Sequence, residues 1–282
     1  MTRISSILAG SLLIAFVVHS AYGGPWPRKQ GTGFVQLGAS RIAYDKVYGD
    51  DGIKQLLGFE VTDNVVQVFA EYGVNDDITV TAMVPFKVVS VSAGAPESVL
   101  PGGQKSGIGD IDLAIRRTWL SSDGYVLSTE MMIGLATGDH VHPYGLILGD
   151  GETNIAVRLS GGRSFYPSPL YVSGDAAYNF RSDGFSDDVL YNLEIGYDVI
   201  SNRLLLILLV SGRESTSMNP TPPTTASALG LLSFNQEYTA IIPKVLYKFS
   251  NEWGVSASFG TAVHGRNVAG GFVFAGGLFY EF

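Results

Sequence analysis

Histidine is the side chain through which chemistry at neutral pH most often runs. Beyond residue 23 it occurs only at His140, His142 and His264. Asp139-His140-Val141-His142 has a spacing that could hold a metal on one side of an extended strand, with Asp150 or Glu152 as further donors. No His-x-Ser pair and no Gly-x-Ser-x-Gly accompanies these histidines, so a serine nucleophile has no base in its sequence neighbourhood. Cysteine is absent, which excludes a disulfide framework and a thiolate metal site. The His-x-His pair is therefore read as solvated loop surface. Asp150-Gly151-Glu152-Thr153-Asn154 lacks the ligand spacing and distal Glu of a calcium loop and is read as a tight loop-to-strand turn. No catalytic residue, metal or cofactor is expected, and the chain is not read as an enzyme.

The other groups able to act are charges, and their use depends on the elements that carry them. The 282 residues are 46% hydrophobic and 16% charged, with 35 Gly, a formal charge of −8 and a mean hydropathy of +0.21. Such a chain is too apolar for an ordinary soluble enzyme, too rich in aromatics for disorder, and too acidic for nucleic acid. Residues 1–23 read as a cleaved secretory signal: Arg3 supplies the basic start, Ile7 to Val18 the apolar stretch, and Ala21-Tyr22-Gly23 the small-x-small cleavage site. Beyond it no run approaches the roughly 20 apolar residues of a membrane helix, the longest dense one being Leu204 to Val210.

The apolar excess alternates instead. Phe272, Phe274, Leu278, Tyr280 and Phe282 share one face, with Val273, Ala275, Gly277, Phe279 and Glu281 on the other. Trp253, Val255, Ala257, Phe259 and Val263 oppose Gly254, Ser256, Ser258, Gly260 and His264 in the same way. Only helices and closed barrels satisfy the backbone in lipid, so an exported, apolar, helix-free chain is expected to be an all-β transmembrane antiparallel barrel. Twelve segments are predicted, at 33–44, 64–74, 77–91, 108–120, 124–138, 151–163, 169–181, 187–199, 203–214, 234–248, 252–264 and 270–282. Short turns alternate with longer Gly/Pro/Ser-rich loops, at 45–63, 92–107, 139–150, 182–186, 215–233 and 265–269, which places both termini in the periplasm. Trp119, Tyr125, Tyr247, Phe249, Trp253, Tyr280 and Phe282 cluster near the short turns as an interfacial girdle requires. The expected organisation is a signal at 1–23, an N-terminal periplasmic segment at 24–32 and a barrel at 33–282. In the middle piece Trp26, between two prolines and beside two basic residues, makes a candidate plug for an acidic mouth.

The alternation turns Asp110, Asp112, Arg116, Glu130, Glu152, Asn154, Arg158, Asp175, Asn179, Arg181, Asn192, Glu194, Asp198, Lys244 and Lys248 inward. Facing lipid at mid-depth, such charges would cost about 2 to 4 kcal/mol each. Twelve strands give a backbone diameter of roughly 22 to 24 Å and a lumen of ~10 Å. The lining could serve permeation or simply fill the barrel with a self-satisfying network. It has neither the single-sign basic ladder of an anionic sugar channel nor a dominant acidic ring.

Three short motifs carry a resemblance. Gly107-Ile108-Gly109-Asp110 opens a strand, Gly134-Leu135-Ala136-Thr137-Gly138-Asp139 closes the next, and Leu148-Gly149-Asp150-Gly151 opens the third. Together they resemble the outer-membrane family assigned to transport in the phenol meta-cleavage pathway, itself related to FadL-type transporters of hydrophobic compounds. The resemblance is firmest over 107–165. Ala136 stands where relatives typically carry Pro. The resemblance implies a barrel that passes small hydrophobic or aromatic solutes by a narrow path, with no catalytic residues. Gly109, Gly138, Asp139, Gly149 and Asp150 are placed at its outer rim, where they pin loop geometry or shape the mouth. Outer-membrane lipid, small hydrophobic solutes and, through the C-terminal strand with its final Phe282, the barrel-assembly machinery are the expected partners; nucleic acid is not. A polar-solute channel and a non-transporting envelope barrel are the alternatives.

Overall fold

The computed structural model describes residues 24–92, 103–140, 146–217 and 235–282. The signal at 1–23, His142 and most of the 215–233 loop lie outside the described residues.

Alternation produces strands throughout: β1 (Gly33–Tyr48), β2 (Lys54–Gly73), β3 (Ile78–Val91), β4 (Gly103–Ile108), β5 (Ile111–Ser122), β6 (Tyr125–Leu135), β7 (Asn154–Ser164), β8 (Leu170–Arg181), β9 (Asp188–Ile200), β10 (Leu204–Ser215), β11 (Glu237–Lys248), β12 (Trp253–Arg266), β13 (Val268–Ala269) and β14 (Phe272–Glu281). Two of the staves are interrupted. β4 and β5 both pair with β3 and are separated at Gly109-Asp110, while β13 and β14 both pair with β1 and are separated at Gly270-Gly271. Counting each as one stave gives a twelve-stranded antiparallel barrel, closed where β1 pairs with β2 on one side and β14 on the other.

The two ends differ in the way the sequence requires. At the end holding Gly33 and Phe282, connections are tight: Asp123 (φ 53°) and Gly124 (φ 79°) form the left-handed pair of a two-residue hairpin. At the other end, the expected loop at 45–63 is largely strand. After a bulge at Tyr44/Lys46, β1 and β2 go on pairing through Tyr48↔Lys54, leaving a connection of 49–53. Apolar side chains stop alternating there because the hairpin has passed beyond the lipid-facing belt, so the periodicity vanishes although the ladder persists. The segment 124–138 ends at Leu135 and the segment 151–163 begins at Asn154, because the connection between them turns inward. Part of 265–269 is β12 and β13 rather than loop.

Outside, the staves present Leu37, Leu159, Phe259 and Phe274, each at least half exposed. Fully solvated, that surface would be an aggregation hazard; in lipid it is the barrel's natural boundary. Near the short turns Arg117 stacks on Trp119 (4.1 Å) and Arg163 on Tyr125 (4.7 Å), and Trp253 packs on Tyr280, joining aromatic rings to interfacial cations. A closed barrel with this belt is an outer-membrane protein. Its interior holds two apolar clusters. One fills the outer half against β1–β3 and β10–β14, and a smaller one, Phe34, Phe69, Met83 and Phe279, sits near the periplasmic end.

Candidate functional site: the lumen and the two segments inside it

Inward charge is densest on β5–β9, with Glu71, Asp63 and Lys87 on β2–β3 and Lys244, Lys248 and Glu281 on β11 and β14. Side chains of the sequence-derived set, Asp112, Arg116, Glu130, Arg158, Asp175, Asn179, Arg181 and Glu194, sit at inward positions of β5–β9. Many are joined in a ladder that climbs from strand to strand. Glu71 takes Arg116 (3.0 Å), Arg116 reaches Glu130 (3.6 Å), Glu130 meets Arg158 (3.4 Å), and Arg158 binds Asp175, which also accepts from Asn192 (3.0 Å). Arg116 is 2% exposed and Glu71 2%. Charges this dry persist only when paired, so the ladder is a mutually neutralised network rather than an open ionic path. Sequence reasoning missed Glu71, although its position on β2 shares the inward parity of Phe69. A second group lies nearer the outer end: Arg181 bridges Asp150 (3.1 Å), Glu152 and Asp188 (3.5 Å), and Asp188 is shared with Arg213 (3.5 Å). Burial, and after it the Asp150 carboxylate, pushes Glu152 up to about 8 against the pull of Arg181. Asp188 and Arg213 were also missed, although both lie inside the predicted segments 187–199 and 203–214 and Asp188 shares the inward parity of Asn192 and Glu194.

The outer half of the opposite wall is mostly apolar. Ile42, Val61, Val65, Ile242, Ala262 and Val273 face inward there, broken by the Lys87–Asp63 pair (3.4 Å).

Among the described residues, two segments enter the lumen. From the outer end, the β6–β7 connection folds inward so that Leu146 and Leu148 are 2% and 3% exposed and pack into the outer apolar cluster. The Gly/Asp motifs are the means. The Asp110 carboxylate accepts the Gly138 N–H (2.9 Å) and the Asp150 N–H (3.2 Å), clamping both limbs of the connection. Leu148 N–H is bound by the Asp139 carbonyl (2.8 Å). A Cβ on Gly149 would stand 2.2 Å from that carboxylate and one on Gly138 2.6 Å from the Gly149 backbone, so both positions demand glycine for closeness of approach. Gly109 sits where β4 breaks from β5, its N–H held by the Pro85 carbonyl (2.9 Å). Four of the five motif residues thus converge. Asp139 does not: its side chain is 58% exposed and pairs with Lys105 (3.0 Å). His140 packs against Gly151, His264 lies on β12, and among the described residues no group of three or more potential ligands could hold a metal.

From the end that holds Gly33 and Phe282, residues 24–32 run inside the charged wall. Ser128 donates to the Pro25 carbonyl (2.6 Å) and Arg116 to the Trp26 carbonyl (3.2 Å). Arg28 donates from its backbone to Thr79 (3.1 Å) and from its guanidinium to Glu71 (3.0 Å) and Glu281 (3.4 Å), with its face over the Phe34 ring. Trp26 meets the Tyr171 ring edge-on at 6.5 Å. Arg28 is therefore the lowest rung of the buried ladder.

No family model matches the chain, and no curated protein sequence matches it. Solved structures do. The COG4313 outer membrane channel from Pseudomonas putida F1 superposes with a TM-score of 0.75 at 17% identity, over 93% of this chain and 99% of that one. The KdgM porin gives 0.52 at 10% identity over 89% and 99%, and the translocator domain of the autotransporter NalP from Neisseria meningitidis 0.53 at 12% over 94% and 92%. At these identities the likeness is one of fold, and the barrel is common to channels and a translocator alike.

Proposed function

We propose that this barrel is an outer-membrane channel for small hydrophobic or aromatic compounds. The observation that supports the proposal is the large apolar cluster in the outer half of the lumen beside a charged wall on β5–β9 whose members are largely paired with opposite charge, with no ladder of one sign among the described residues. Superposition on structures named as a channel and a porin supports transport in general; the apolar wall supports the class of solute. Asp112, Arg116, Glu130, Arg158, Asp175, Asn179, Arg181 and Glu194 form the rigid side of the path. Gly109, Asp110, Gly138, Gly149 and Asp150 hold the outer connection in place, and residues 24–32 serve as the periplasmic gate.

The test is uptake of a neutral aromatic alcohol into vesicles carrying a lipopolysaccharide outer leaflet, with current recorded in parallel. Uptake above empty vesicles without sizeable ion current is the expected result. A steady current that depends on Arg116, Arg158 and Arg181 would establish a polar-solute channel instead, and neither uptake nor current would establish an envelope role.

A further inference from the structure

We propose that the α-ammonium group released at Gly24 when residues 1–23 are removed is bound inside the lumen by the Glu194 carboxylate, so that processing of the chain seats its own N-terminal segment. The inference concerns the segment read above as the gate and stands whichever solute passes.

Traced from β1 back to Gly24, the segment follows the inner circumference of the barrel. Arg28 lies against β2 and β3 through Glu71 and Thr79. The Trp26 carbonyl accepts from Arg116 on β5 and the Pro25 carbonyl from Ser128 on β6. A Cβ on Gly162 of β7 would stand 3.0 Å from the Pro25 ring, and one on Gly24 would stand 3.9 Å from Ser173 Oγ on β8. The track thus passes the staves in the order in which the barrel sets them. It also goes inward, since Lys29 and Gln30 are exposed while Pro25 is buried. The next stave is β9, and there the direct partner of Ser173 is Glu194. Side chains so opposed have Cβ atoms about 5 Å apart, which brings the Glu194 carboxylate within reach of a group at Gly24.

The other carboxylates along the track are already paired with arginine: Glu71 with Arg28 and Arg116, Glu130 with Arg116 and Arg158, and Asp175 with Arg158. Glu194 instead accepts the neutral hydroxyl of Tyr171 at Oε1 (2.7 Å). The Tyr171 ring is met edge-on by Trp26, whose Cδ1 lies 3.5 Å from the Cβ position of Gly24. Gly24, Trp26, Tyr171 and Glu194 therefore form one group. An unprocessed chain brings to it a single neutral N–H. A chain beginning at Gly24 brings a positive charge and three donors, and hydrogen bonds between ionised partners are roughly twice as strong as neutral ones. Lys244 of β11 is close enough to act on the same carboxylate, which makes it the competitor that an experiment must tell apart.

The test uses the processed chain isolated from outer membranes. Its intact mass should place the first residue at Gly24. Carbodiimide, which condenses an amine with a carboxylate in direct contact, should link the Gly24 nitrogen to Glu194, the bond being located by peptide mass spectrometry. Acetylation of the α-amine by succinimidyl acetate should be about tenfold slower in the folded barrel than in urea, the protection given by one charged hydrogen bond. Glu194→Gln should abolish the link, restore the fast rate and make single-channel openings more frequent; the link and the rate in the unaltered chain decide the matter if that variant does not fold. A different first residue, an α-amine acetylated as fast as in urea, or Glu194 linked to Lys244 alone would overturn the site. A linked amine with openings unchanged by Glu194→Gln would leave the site standing and count against the gate. An unlinked amine in a barrel that opens when 25–30 are deleted would do the reverse.

Discussion

The two segments inside the barrel are held in opposite ways. The outer one is tethered at both ends, buries Leu146 and Leu148 in an apolar cluster, and has its backbone clamped by the Asp110 carboxylate. The other, residues 24–32, leads directly into β1. Its anchors are mostly polar, Arg28 to Glu71 and Glu281 with the Arg116 and Ser128 donors on its carbonyls, beside apolar contacts of Pro25 with Gly162 and Trp26 with the Tyr171 ring. Withdrawing the first would open a cavity in a packed core. Withdrawing the second exchanges hydrogen bonds for water and exposes Pro25 and Trp26, with no packed apolar cluster emptied. On this contrast we propose that the outer segment is part of the wall and that residues 24–32 are the part that moves.

Locking each segment breaks or sharpens this contrast most severely, and the cysteine-free chain is well suited to it. Gly162→Cys with Pro25→Cys joins the periplasmic segment to β7, where a Cβ at 162 lies 3.0 Å from the Pro25 ring. Gly107→Cys with Leu148→Cys joins the outer connection to β4 across a 2.8 Å approach. Oxidation of the first pair should abolish solute uptake, with recovery on reduction, while oxidation of the second leaves uptake unchanged. Vesicle uptake before and after reductant reads both.

The next effect is on stability. Leu148→Ala should destabilise the barrel by about 2 to 5 kcal/mol, through lost burial and the cavity it leaves. Urea titration of the protein in lipid measures it. A Trp26→Ala chain, by the same titration, should lose less than Leu148→Ala. Smaller again is Asp110→Ala, which leaves two backbone N–H groups without their charged acceptor and should cost about 1.5 to 3 kcal/mol by the same measurement. Smallest is Arg28→Gln. That side chain is 25% exposed and its pairing with Glu71 is worth about 1 kcal/mol, so the open fraction should rise roughly fivefold, seen as more frequent single-channel openings.

Much of this was legible in the residues, and the limits of legibility have physical causes. Period-two alternation at Phe272–Phe282 and Trp253–His264 marks lipid-facing staves because lipid demands it at every second position. The same rule failed at 45–63, where the β1–β2 hairpin stands clear of lipid and nothing constrains its outward side chains. Inward charges on β5–β9 could be read from parity, but their pairing could not. Arg28 joining Glu71 spans 43 residues, and no local pattern announces it. The Gly/Asp motifs drew notice as loop punctuation. Their role as a clamp around Asp110 depends on three separate strand ends meeting, which only the closed barrel brings about.

The central claim is that residues 24–32 close the periplasmic end and can leave it. Single-channel conductance of the full chain and of a chain lacking 25–30, refolded in the same planar bilayer, tests it most directly. Near silence is expected from the full chain and a steady, salt-dependent current from the shortened one. Equal conductance from two demonstrably folded barrels would contradict it.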